Sequence, residues 1–275
     1  MRTIRNLAAA ALALACLAGG RAQAGPTFLN EILRDAPGAD NGQEFVELLG
    51  DPGASLDGVV FLAIDGDGSA AGTIDTVFSL DGLTLGSNGL LLIRDSATVL
   101  QPAPAAGTTV VVNDFTPDLE NGSITFLLVT GFTGAVGNDL DTNNDGVIDV
   151  ATPWATVIDA IGLLENDGVN NFAYAAQLGF FDFPQLAFTP DAFVRLADGG
   201  GLAAMDVLGT TPGPYAFDPA EYFSTTGLAP TTADAILTPG SFNPRAVPEP
   251  ASIAAMGLGL GLVGLWAGRR RRAAR

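Results

Sequence analysis

FLNEILRDAPGADNGQEFVELLG, Phe28 to Gly50, is the stretch that decides the fold. Two short apolar runs flank a centre of Asp, Pro, Gly and Asn, the residues that terminate strands and fill turns. The pattern predicts strands over Phe28–Arg34 and Glu44–Leu49 joined by a loop. Working outward, the same grammar recurs. Further strands are expected at Val59–Ile64, Thr73–Leu80, Leu90–Ile93, Thr108–Val112, Ser123–Thr130, Thr156–Leu163 and Ala192–Leu196. Between them lie Asp57-Gly58, Asp65-Gly66, Asp67-Gly68, Asp81-Gly82, Asn88-Gly89, Asn121-Gly122 and Asp198-Gly199, which supply the positive φ that tight turns need. Apolar spacing at three and four is sparse between residues 25 and 246. One all-β sandwich domain over 25–246 accounts for the pattern.

Composition narrows the chemistry. All 12 basic residues are arginine; lysine and histidine are absent, and the one cysteine, Cys16, lies near the N-terminus. Arg34, Arg94, Arg195 and Arg245 are the cations within 25–246, which also holds every acid of the chain except Glu249. Such a balance repels nucleic acid and anionic lipid and favours cations. It excludes a Ser-His-Asp triad, a Cys-His pair, a Schiff-base lysine and a His-rich zinc site. Carboxylate chemistry remains: paired acids, or hard cations held by oxygen.

The opening stretch resembles that of a lamin-tail domain, an immunoglobulin-like β-sandwich, through its loop and its Glu44-Phe45-Val46-Glu47-Leu48 strand. Thr238-Pro239-Gly240-Ser241-Phe242-Asn243 is similar to the close of such domains, and Val157–Gly162 and Phe193–Gly199 resemble its later strands. The chain between these landmarks is longer than a minimal member, so insertions are expected. The resemblance implies a binding or structural module without enzymatic activity, closed by its first and last segments meeting.

The two ends carry addresses. Arg2 and Arg5 precede an apolar segment, Leu7 to Leu17, and Ala22-Gln23-Ala24, which reads as a signal peptide over 1–24 with signal peptidase cutting before Gly25. Cys16 leaves a lipoprotein alternative open, although Ala13 stands where lipoproteins carry leucine. At the other end, Val247-Pro248-Glu249-Pro250 is followed by an uncharged apolar run and then Arg269, Arg270, Arg271, Arg272 and Arg275. As a helix, a 252–268 span would cover about 25 Å, slightly short of a ~30 Å hydrocarbon core. The arginines would stay cytoplasmic. This tail, 247–275, closely resembles the PEP-CTERM sorting domain of Gram-negative bacteria. The resemblance implies an inner-membrane precursor cut near the motif by an exosortase and released to the cell surface or extracellular matrix; a plain membrane anchor is the alternative.

Three places could carry chemistry. In DLDTNNDGVID, Asp139 to Asp149, the residues Asp141, Asn143, Asp145, Val147 (through its carbonyl) and Asp149 have the spacing of a calcium loop, with Gly146 at its sharp turn. Thr152 stands where an EF-hand has its bidentate glutamate, so Asp139 or Asp159 is expected to complete the shell. Glu44 and Glu47 are three apart in a strand and should point to opposite faces, which disqualifies them as a catalytic pair. One of them is expected to pair with Arg195. Phe180-Phe181-Asp182-Phe183, with Phe172, Tyr174 and Phe188, is expected to close the core over an insertion rather than form an exposed patch. The sequence therefore predicts a non-enzymatic exported protein with one calcium ion, and extracellular polysaccharide or a matrix protein as partner. The alternative is a secreted hydrolase of extracellular polysaccharide working through two carboxylates.

Overall fold

The computed structural model describes residues 27–38, 42–96, 100–168, 170–197, 201–210, 212–227 and 235–244. The expected signal peptide (1–24) and the tail from 247 onward, with its 252–268 span, lie outside the described residues. Among those described, no helix is long and apolar enough to cross a membrane.

Among the described residues, twelve strands form two sheets. The first runs β12-β11-β10-β1-β2-β5-β6 and the second β4-β3-β7-β8-β9. The strands are β1 (Phe28–Leu33), β2 (Phe45–Leu49), β3 (Val59–Asp65), β4 (Ile74–Ser79), β5 (Leu90–Arg94), β6 (Thr109–Val112), β7 (Ile124–Thr130), β8 (Thr156–Leu163), β9 (Phe181–Asp182), β10 (Ala192–Leu196), β11 (Gly201–Leu208) and β12 (Ala216–Ser224). Pairing is antiparallel except for β5–β6 and β8–β9. Among the described residues helix is confined to one 3-10 turn, Ala176–Leu178, so the all-β expectation holds there.

The nine expected strands are all present, each within about one residue of its predicted bounds. Two further long strands, β11 and β12, were not read from the sequence. β12 carries Asp218-Pro219 and Glu221 in its interior, which argue against a strand. Proline is accommodated because β12 is an edge strand and the β11–β12 register shifts between Met205 and Val207.

Three apolar layers hold the sheets. Leu29, Ile32, Val46, Leu48, Leu91 and Phe193 of the first sheet meet Phe61, Phe126, Leu128, Ile161 and Leu163 of the second. The outer face of the first sheet is covered as well: Leu33, Phe45, Leu92, Val194 and Met205 pack with Tyr215, Phe217 and Leu237. On the outer face of the second sheet, Leu62, Ile64, Ile74, Leu127 and Ala160 lie under Leu140, Tyr174 and Ala175. The expected aromatic cluster is thus core: Tyr174 and Phe183 are fully buried, and Phe172, Phe180 and Phe181 pack against the core layers.

Burial of Arg34 ties the sandwich across its end. Its Nε donates to Pro190 O at 2.7 Å, and Nη1 donates to Glu120 O at 3.0 Å and to Gly122 O. Desolvation lowers its pKa to about 10, with Asp191, Asp35, Asp67 and Glu120 opposing that fall.

Candidate functional site

The opening and closing segments meet, as expected of one closed domain. A register shift between Leu29 and Glu31 bulges β1 at Asn30 and places Glu31 opposite Glu47. Both glutamates are fully buried. Glu31 accepts Thr238 N at 2.8 Å and Thr238 Oγ1 at 3.1 Å. Glu47 accepts Asn30 Nδ2 at 2.5 Å and Gly240 N at 2.6 Å. Asn243 Nδ2 then donates to Asn30 O (2.9 Å) and Arg195 O (3.0 Å). Gly240 sits at φ +76°, and a Cβ there would come within 2.4 Å of Pro104 Cβ, so the turn admits only glycine. Burial pushes Glu31 up to about 8, against the pull of its Thr238 hydrogen bonds. Burial, followed by the Glu31 charge, raises Glu47 well above the carboxylate range.

The expected pairing of Glu44 or Glu47 with Arg195 is not made. Glu44 lies just before β2, with its Oε2 accepting Leu119 N at 2.9 Å, while Glu47 serves the closing turn. Their partners are in different parts of the fold, as strand alternation requires. Arg195 instead donates through Nη2 to Asp159 Oδ2 at 2.7 Å and through Nε to Leu29 O at 3.0 Å, and lies over the Phe28 ring. That ion pair also corrects the metal reading. Asp159 stands opposite Leu128 on the face turned to the first sheet, whereas Leu140 and Ile148 of the acidic loop pack with Leu127 and Ala160 on the other face. Asp159 therefore cannot complete a shell around the loop.

The loop itself is tightly wrapped. Asn144 and Gly146 adopt positive φ (53° and 83°). Asp141 is fully buried; its Oδ1 accepts Asp145 N at 3.1 Å, and its Oδ2 accepts Gly146 N at 2.7 Å and Tyr174 OH at 2.9 Å. Asn143 Oδ1 accepts Asp145 N, Asp145 Oδ1 accepts Val147 N, and Asp149 accepts Thr142 N and Oγ1. Asp139 Oδ1 accepts Asp141 N. Gln177 bolts the loop to the 3-10 turn, accepting Ile148 N and donating to Gly146 O. The chain thus gathers Asp139, Asp141, Asn143, Asp145 and Asp149 in one loop, with Val147 exposed at its rim.

Sequence reasoning missed a second acidic group. Among the described residues, three acids converge within 4.8 Å only at Asp206, Asp218 and Glu221, where the β11–β12 register breaks. Asp191 joins them: desolvation first, then a hydrogen bond shared with Asp206, raises it to about 8. No motif marks this group, because a bulge in a pairing that sequence does not show brings it together. A pocket of about 380 Å³ opens beside the closing segment, lined by Phe28, Asn30, Arg195, Leu202, Phe242 and Asn243 among others, with no carboxylate in its wall.

The last described residue, Pro244, accepts Ala197 N at 3.0 Å, just past the end of β10. Directly beyond it, residues 246–272 match the family model of the PEP-CTERM protein-sorting motif. The match covers the tail alone, one residue earlier at its start than the sequence reading placed it. The motif marks an exported protein, processed by an exosortase and sorted to the cell envelope or surface. No curated protein and no solved structure matches the chain.

Proposed function

We propose that this chain is a non-enzymatic component of the surface or extracellular matrix of a Gram-negative bacterium, delivered as an inner-membrane precursor and freed by exosortase cleavage near Pro250. Its sandwich serves as a binding or structural module of the lamin-tail kind, with extracellular polysaccharide or a matrix protein as partner. One observation carries the reading: the sorting motif begins two residues after Pro244, the last described residue, which is itself tied to the sandwich. The meeting of Glu31 and Glu47 with Thr238 and Gly240 supports the lamin-tail assignment, since its landmark segments would have to close one sandwich. The pocket wall, an arginine and two amides among apolar groups, supports binding over two-carboxylate hydrolysis. Calcium at the loop, held by Asp141, Asn143, Asp145, the Val147 carbonyl and Asp149, with Asp139 beside them, would neutralise crowded carboxylates and stiffen the loop.

Intact-mass analysis of the protein recovered from its native host tests the sorting reading. A chain starting near Gly25 and ending near Pro250 is expected. Mature protein that retains Trp266 and Arg269–Arg272 would make it a plain anchored protein. A second reading draws on Asp191, held protonated beside Asp206: a secreted polysaccharide hydrolase. Release of reducing sugar, lost in Asp191→Asn, would put that reading first.

A further inference from the structure

Four strands form the sheet edges: β12 and β6 in one sheet, β4 and β9 in the other. An open edge offers unpaired N–H and C=O groups to any extended chain, so soluble proteins guard their edges. Three of these four are guarded. β12 carries Asp218, Pro219 and Glu221 and is met at one end by Ala235–Leu237, where Phe217 N donates to Ala235 O and Leu237 N to Tyr215 O. β4 carries Asp75 and is covered at one end through the bonds between Ile74 and residues Gly137 and Asn138. β9 is two residues long and ends in Asp182.

β6 has none of these guards. Thr109–Val112 contains no charge and no proline, and no described strand pairs with its outer side. Val110 is 41% and Val112 53% exposed, on the same face, while Val111 turns to the core. The whole segment from Ser96 to Asn113 is uncharged, in a chain of net charge −18.

We propose that β6 is a self-association edge, at which two copies of this chain pair antiparallel about a two-fold axis. The occupant follows from charge. Two bodies this acidic repel over most of their surfaces, and a partner's β12, β4 or β9 would bring Asp218, Glu221, Asp75 or Asp182 to the contact. Only β6 against β6, with Val110 of each copy opposite its counterpart on the two-fold, sets a neutral ladder together with no acid between the strands. Such an isologous contact closes on itself, giving dimers rather than fibres. A four-residue ladder buries well below the ~1,200 Å² of a standard interface, so the dimer is weak in dilute solution. Gathering exported copies at one surface raises the effective concentration, and that last clause alone rests on the sorting reading.

Disulfide trapping in detergent, on the full chain carrying Cys16→Ser, tests the edge. Val110→Cys should cross-link several-fold faster than Val136→Cys, a loop valine of similar exposure (57%). Adding Val112→Glu to Val110→Cys should remove the difference, and raising the salt should enlarge it by screening the bodies' repulsion. Melting temperatures of all variants check that the sandwich is intact. Equal rates at the two positions, or trapping indifferent to Val112→Glu, would overturn the proposal.

Discussion

Glu31 and Glu47 face each other across the β1–β2 ladder, both fully buried, and each holds a backbone N–H of the closing turn. Two carboxylates at this separation in a dry site cannot both ionise without strong repulsion. The sandwich is therefore locked by a pair that retains a proton where free carboxylates have lost theirs.

That lock makes stability fall as pH rises. The folded pKa of Glu31, about 8, lies above its ordinary 4.5, so the folded state binds a proton that the unfolded chain releases. Its contribution is fully present below about pH 4.5, declines between 4.5 and 8, and is lost above. Urea unfolding at pH 5 and pH 8 should differ by a few kcal/mol. Glu31→Gln should flatten that slope, keeping an oxygen for Thr238 N without the charge.

Arg34 should be intolerant of replacement. Arg34→Met would leave the buried carbonyls of Pro190, Glu120 and Gly122 without their donor. A loss of about 3–5 kcal/mol in chemical denaturation is expected. A loss under about 1 kcal/mol would mean that solvent reaches those carbonyls freely.

Asp159 and Arg195 should behave as a coupled pair. Asp159 accepts both Leu29 N and Arg195, and its side chain is only 8% exposed. Asp159→Ala is expected to destabilise by about 2–3 kcal/mol, with Asp159→Asn milder. A double-mutant cycle with Arg195→Met should return a coupling on the order of 1 kcal/mol. Calcium binding should not depend on Asp159.

Calcium should raise the melting temperature. Binding the folded state alone gives about 2.7 kcal/mol at a hundredfold excess over Kd. For a domain of this size that is on the order of 5–10 °C. Asp145→Ala with Asp149→Ala should abolish the shift. Asp141 is a poor choice for this test, because it also holds Tyr174 OH and Gly146 N. Sodium chloride at matched ionic strength is the control, and a calcium shift no larger than that control would remove the metal.

What the sequence by itself determined is local or compositional. Turn dipeptides and apolar runs placed nine strands, because each is specified by neighbours in the chain. The absence of His and Lys excluded whole reaction classes, and the tail could be read because a sorting motif acts as a contiguous segment. Tertiary structure decided the pairings. Glu31 meets Thr238 across 207 residues, and nothing in either segment names the other. The reading of Arg195 went to the wrong acid because the choice among candidates depends on which strands become neighbours. β12 was hidden because its Pro and acids are tolerable only at an edge with a bulge. Thr152 leaves the loop short of a ligand and makes Asp159 a candidate beside Asp139, yet strand alternation turns Asp159 to the opposite face of the sheet, where it meets Arg195.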